Sequence, residues 1–275
     1  LSRRPQSSAM LDEAQVDLLV RTAAMSGCRG ILFESDAPLD AHDETTAYRA
    51  LVVEAMNRQL QSIEPWLTNG KSVGEATTPD ASATATVLQV DRARLVIPST
   101  WQVQSPTAKA SPAALVVPGV PESNEAYALS PAGLRPLASK RVAGGVRVEL
   151  DGQAVPLLLL TEDAMVVGSF RQRLARDGRR AVQLERDLAL ARAKLLVATA
   201  RGLERYGVSS RDALQAVGAA NAELAPINGL IVAGKMEQAF QRAEAARQRI
   251  AEAAARQRAV AGPQPVGSVP LAPEG

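Results

Sequence analysis

From residue 164 to about residue 260 the sequence keeps one helical pattern with few interruptions, and this stretch constrains the chain more than any other feature. A seven-residue repeat links Phe170, Leu174, Ala181, Leu184, Leu188, Ala191, Leu195 and Ala198, broken at the Asp177 slot. Such an apolar stripe on an alanine-rich helix is a packing surface. Gly207 is placed to end that helix, and Ser209 with Asp212 three residues later has the pattern of a capping box. A second helix over about 210–232 contains Pro226, whose missing N–H predicts a kink. Ala233-Gly234 turns the chain into a third helix carrying Met236, Ala239, Phe240, Ala243, Ala246 and Ile250. Short connections favour antiparallel neighbours, so residues 161–261 are expected to form an antiparallel three-helix bundle. The Pro/Gly/Val/Ser composition of 262–275 predicts a disordered tail.

Residues 71–160 switch to short runs of period two, punctuated by Gly and Pro. Thr84–Val90 and Ala93–Pro98 flank Asp91-Arg92 as a hairpin would. Leu115–Val117, Ala126–Leu129, Val146–Leu150 and Val155–Leu160 are further strands, with Gly133, Gly144-Gly145 and Asp151-Gly152 at the turns between them. The spacing predicts an antiparallel β-sandwich. The stretch 102–113, rich in Gln, Ser, Pro and Ala, reads as an exposed loop.

Residues 1–70 alternate helix and strand. Leu11, Val16, Leu19, Val20 and Ala23 keep near-helical spacing up to Gly27. Gly30–Ser35 is a short apolar run bounded by glycine and by Asp36-Ala37-Pro38, read as a buried strand of a parallel sheet. A second helix follows, N-capped by Asp43, with a stripe through Leu51, Val52, Ala55, Met56, Leu60 and Ile63; Asn69-Gly70 closes it. The whole is an α+β multidomain chain.

Charge and composition exclude several functions. Thirty-one basic and 29 acidic residues leave a net charge of +2, and the arginines of the C-terminal helices alternate with Glu, Asp and Gln. That is a solvated face, not the segregated basic face of a nucleic-acid binder. No apolar run approaches the ~20 residues of a membrane span. The opening Leu1-Ser2-Arg3-Arg4-Pro5 carries no apolar signal core and reads as an internal cut or a processed end. The single cysteine, Cys28, allows neither an internal disulfide nor a multi-cysteine metal site, and is expected as a small buried hydrophobe at a strand entrance. The single histidine, His42, lies among Asp40, Asp43 and Glu44, where capping or solvation accounts for it. Gly27-Cys28-Arg29-Gly30 precedes a strand, whereas a phosphate loop follows one and opens a helix, so no cofactor is implied.

The candidate chemistry is sparse. Glu34 and Asp36 fall at the C-terminal end of the expected strand, where α/β folds place their sites, with Ser35 between them. Two carboxyls on one side of a strand lack the opposing wall that glycoside hydrolysis requires. Capping of the Pro38 turn by Asp36, with Glu34 paired or solvated, is the plainer account. Trp101 and Tyr127 are the aromatics of the β region; Trp101 serves either as core or as a carbohydrate platform. Trp66, after Pro65, reads as a packing anchor.

In order, Gly27-Cys28-Arg29-Gly30-Ile31-Leu32-Phe33-Glu34-Ser35, then Pro38-Leu39-Asp40, then Ile63-Glu64-Pro65-Trp66-Leu67, resemble the last helix–strand–helix unit of glycoside-hydrolase-like TIM barrels. Val117–Tyr127 with Gly144-Gly145-Val146-Arg147-Val148 resembles the sandwich appended to many such barrels. Large bacterial proteins of a planctomycete type look similar through the helical region as well. The resemblance implies a barrel remnant over 1–70, a β-sandwich over 71–160, and the bundle behind them. Its usual acid/base and nucleophile positions have no match here, so no catalytic residue is carried over. Glu34, Ser35 and Asp36 would face the barrel mouth as substrate contacts. The resemblance implies carbohydrate as the ligand of a parent glycosidase, an extracellular or periplasmic setting, and a chain that is not itself an enzyme. Exposed strand edges or helices would favour homo- or hetero-oligomers. The alternative is a structural or protein-interaction module acting through the bundle.

Overall fold

A computed structural model describes residues 13–34, 38–40, 43–79, 84–98, 114–150 and 157–261. The chain divides into two compact units, Leu1–Leu39 with Arg49–Ala181, and Asp40–Tyr48 with Val182–Gly275.

Among the described residues, the first unit is built around nine strands: β1 (Lys71–Thr77), β2 (Thr84–Val90), β3 (Ala93–Pro98), β4 (Ala114–Pro118), β5 (Glu125–Ser130), β6 (Gly133–Leu137), β7 (Ser139–Val142), β8 (Gly145–Glu149) and β9 (Leu157–Thr161). They pair antiparallel in the order β6-β5-β9-β3-β2-β1-β4-β8-β7. The strands anticipated from the period-two runs are present, and Asp91, at φ 50°, turns the β2–β3 hairpin as its polar dipeptide suggested. The expected pair of facing sheets is instead one curled sheet. Its two edge strands, β6 and β7, are separated in the chain by Ala138 alone. The two Cα–Cα steps from Leu137 to Ser139 span at most about 7 Å, so the ends of the edge strands meet and the sheet nearly closes on itself. The seam is thinnest between β1 and β4, where Thr77 and Val116 form the recorded register pair.

The curl explains which side chains are buried. Val87, Val96, Leu115, Val117, Ala126, Val146, Val148, Leu158 and Leu160 share one interior core, although β9, β3, β2, β1 and β4 stand between β5 and β8 in the sheet order. The opposite face of β2, β3, β5 and β9 is covered by helices. There Leu88, Leu95, Ile97, Tyr127, Leu129, Leu157 and Leu159 meet Ala24, Ile63, Trp66, Val167, Phe170 and Leu174. The run Leu157-Leu158-Leu159-Leu160 is continuous because alternate residues enter the two cores. Fully burying each such side chain is worth about 1.5–3 kcal/mol. Gly145 is required where β8 passes β4, since a Cβ there would lie 2.1 Å from the Val117 carbonyl oxygen.

Helix α1 (Glu13–Met25) ends at Gly27, which takes φ 81° while the Cys28 N–H donates to Ala23 O at 3.0 Å. Residues 30–34 have no regular secondary structure and Leu32 is 93% exposed, so this part of the expected Gly30–Ser35 strand is neither a strand nor buried. Every recorded ladder is antiparallel and joins two of the nine strands. A parallel strand needs covered neighbours, and the described residues supply none. Cys28 is accordingly exposed, not a buried hydrophobe.

The Asp43 cap is present: its Oδ1 accepts the Thr46 N–H at 2.9 Å, opening α2 (Glu44–Ser62). The anticipated single helix divides after Ser62, with α3 (Glu64–Asn69) following and Gly70 as its C-cap.

The second unit is a helix bundle containing the later part of α4 (Ala164–Glu204), then α5 (Arg211–Leu224), α6 (Ile227–Val232) and α7 (Met236–Ala261). Its core is mostly alanine: Ala189, Ala193, Ala200, Ala213, Ala216, Ala220, Ala246 and Ala253 surround Leu196 and Ile250. The buried stripe of α4 departs from the strict seven-residue repeat. Ala198 is exposed, while Ala193, Leu196 and Ala200 are buried. A straight helix slips ~20° per heptad against a period of 3.5, and four heptads rotate the stripe by nearly one residue. Pro226 breaks the helix between α5 and α6 where a kink was expected. The capping box is also different: Ser209 Oγ accepts the Arg211 N–H at 3.2 Å, Ser210 occupies the cap position, and its hydroxyl donates to the Glu204 carboxylate.

Candidate functional site

Glu34 lies exposed in the irregular segment after Gly30. Ser35, Asp36, Trp101 and His42 lie outside the described residues. Among the described residues no group of three or more His, Cys, Asp or Glu could hold a metal ion, and no helix is long and apolar enough to cross a membrane.

The ionisable groups with displaced pKa values owe their shifts to local hydrogen bonds, ion pairs and burial. Glu54 on α2 is held below the usual carboxylate range, chiefly by its hydrogen bonds from Arg180, with Arg58 adding to the effect against the cost of burial. The Tyr127 hydroxyl donates to the Glu125 carboxylate, and that bond, with burial and the carboxylate charge, pushes the phenol up. Burial pulls the Arg94 guanidinium down, while its Nη2 donates to Gly119 O at 2.8 Å.

A concave site does exist, where two helix ends meet the start of the sheet. Gly27 turns the chain sharply at the end of α1. At the end of α3 the Gly70 N–H donates to Trp66 O at 2.9 Å, and a Cβ on residue 70 would stand 2.2 Å from that oxygen. Glycine is therefore required for the tight exit into β1. The two reversals leave a cavity of about 410 Å³. Ala24, Met25, Trp66 and Leu88 form its apolar part, with Arg29 and Lys71 also lining it.

Trp66, the expected packing anchor, is fixed on two sides. Its ring centroid is 5.7 Å from that of Phe170, and its indole N–H donates to Ala93 O at 3.3 Å. The Arg29 guanidinium donates to Leu67 O, one of the terminal carbonyls that α3 leaves unsatisfied. Neither Arg29 nor Lys71 has a carboxylate partner among the described residues. Sequence reasoning did not single out this pair. Each follows a recognisable helix-ending glycine, but their juxtaposition depends on how α1, α3 and β1 pack.

No family model matches the sequence, and no curated protein matches it. Among solved structures, Thermotoga maritima alpha-fucosidase is similar over 57% of this chain and 36% of its own, at 14% identity and a TM-score of 0.35. A Thermotoga maritima alpha-L-fucosynthase in complex with alpha-L-Fuc-(1-2)-beta-L-Fuc-N3 is similar over 58% of this chain and 35% of its own, at 16% identity and a TM-score of 0.36. The chain spans about a third of the length of each. Likeness at this level carries no argument about what this chain binds or does.

Proposed function

We propose that the chain is the non-catalytic C-terminal portion of a glycoside-hydrolase-like protein, associated with carbohydrate through the rest of that protein. The observation that carries the reading is the run Ile31-Leu32-Phe33. It has the composition of a buried barrel strand, yet Leu32 is 93% exposed and the segment joins no sheet. An apolar run of that kind is a surface awaiting cover, in keeping with a strand whose neighbours belong to a barrel. The curled sheet supports the same role, because its interior is filled by apolar side chains. Aryl-glycoside assays, an α-L-fucoside included, should give no turnover. Turnover abolished by Glu34→Gln would overturn the proposal. Retention of the chain on polysaccharide, lost in Trp101→Ala, would extend the carbohydrate association to this portion itself.

A second reading, a protein-interaction module, is favoured by the apolar side chains that the bundle leaves outside: Tyr206 at 80% and Val232 at 83% exposure. Phe240 is buried, so replacing it would test folding. Concentration-dependent association abolished by Val232→Glu or Tyr206→Glu, with helicity retained, would favour this reading over the first.

A further inference from the structure

The cavity beside Trp66 has a chemistry of its own, independent of the reading above. Its volume of about 410 Å³ lies within the ~300–1,000 Å³ of small-molecule sites. Met25, Ala24, Leu88 and Trp66 make one part of the lining apolar. The Trp66 indole N–H is already donated to Ala93 O, and its ring is buried beside Phe170. This wall therefore presents neither a free indole donor nor an open aromatic face on which a sugar ring could stack. The lining also holds two exposed cations, Arg29 and Lys71, that no described carboxylate neutralises. Arg29 is tethered by its bond to Leu67 O, and a guanidinium has further N–H donors to offer.

We propose that this cavity binds a small amphipathic carboxylate, its apolar body against Met25, Leu88 and Trp66 and its carboxylate between Arg29 and Lys71. The apolar wall selects against a fully hydroxylated ligand, and the two cations select an anion over a neutral or cationic molecule of the same length. Charge-assisted hydrogen bonds to a carboxylate are stronger than neutral ones. Because both cations are exposed, each contributes at the scale of a surface pair, which corresponds to about fivefold in affinity.

The test is calorimetric titration of the whole chain with octanoate, octanol, octylamine and glucuronate. Octanoate should saturate one site per chain, and the other three should bind more weakly. Arg29→Gln and Lys71→Gln should each weaken octanoate by about fivefold. Ser72→Trp, which places bulk at the exposed start of β1 beside the cavity, should abolish binding with the far-ultraviolet circular dichroism unchanged. The proposal is overturned if octanoate shows no saturable binding, if glucuronate or octylamine binds as tightly, or if the Arg29→Gln/Lys71→Gln double variant binds octanoate as the parent chain does.

Discussion

Arg180 on α4 grips Glu54 on α2 with two parallel hydrogen bonds, Nε to Oε1 at 2.9 Å and Nη2 to Oε2 at 2.5 Å, across 126 residues of sequence. Arg58, one turn beyond Glu54 on α2, donates to the same Oε1 at 3.0 Å. One carboxylate thus joins two helices of the first unit.

That arrangement gives a pH dependence with a definite sign. The arginines hold the folded-state pKa of Glu54 below its ordinary value of 4.5, so the unfolded chain binds this proton more readily. The stabilisation is complete above the unfolded value and is lost as pH falls through the lower folded value. Glu54→Gln should cost about 1 kcal/mol at neutral pH, the scale of a partly exposed pair. The difference between parent and variant should shrink as urea melts are repeated at pH values below 4.5. A difference that stayed constant down to pH 3 would contradict the assignment.

Trp66 gives a larger effect. It joins α3 to α4 through Phe170 and to the sheet through the Ala93 carbonyl. Trp66→Ala should lower the stability of the first unit by about 3–5 kcal/mol, as a large core truncation. Trp66→Phe keeps a ring opposite Phe170 but removes the N–H, and should cost about 1–3 kcal/mol. Equal losses for the two variants in denaturant melts would show that the ring contact contributes little.

How far these relationships were legible follows from their range. Local signals were readable: the Asp43 cap, the Asp91-Arg92 hairpin, the Gly27 stop and the alternation of β9 each depend on a few neighbouring residues. The strands missed were those that lack a clean alternating apolar run, two of them at the sheet edges. β6 carries Pro136, β7 is Ser-Lys-Arg-Val, and β1 is interrupted at Gly74 where its register shifts. The Ile31–Phe33 run misled because period and apolarity identify a strand only if a partner exists to pair with it. Closure of the sheet through Ala138, and the placing of Arg29 and Lys71 around one cavity, are properties of packing that no local pattern encodes. Of the candidate site residues, Glu34 is placed, and Ser35, Asp36 and Trp101 lie outside the described residues.

Cys28 offers a direct check on the segment after α1. The chain has one cysteine, and its side chain is exposed. A thiol reagent such as Ellman's should titrate one equivalent per chain without denaturant, as fast as in the unfolded chain to within about tenfold. A thiol that reacted only after unfolding would mean that the segment is covered, and would return Cys28 to the buried role its apolar neighbours suggested.

The bundle supplies the sharpest energetic test. Glu185 on α4 is buried, its side chain 9% exposed, and it accepts from the Nε of Arg247 on α7, whose side chain is 22% exposed. Removing water from a carboxylate is costly, and its cationic partner offsets that cost. Arg247→Ala should therefore destabilise the bundle by about 3 kcal/mol, more than an exposed pair could account for. Replacing both residues, Glu185→Leu with Arg247→Leu, removes the charge together with its partner and should come within about 1 kcal/mol of the parent. Helix loss at 222 nm against urea reads both. If the double variant were as unstable as Arg247→Ala, the cost would lie in lost packing, and the ion pair would not be what ties α4 to α7 inside the bundle.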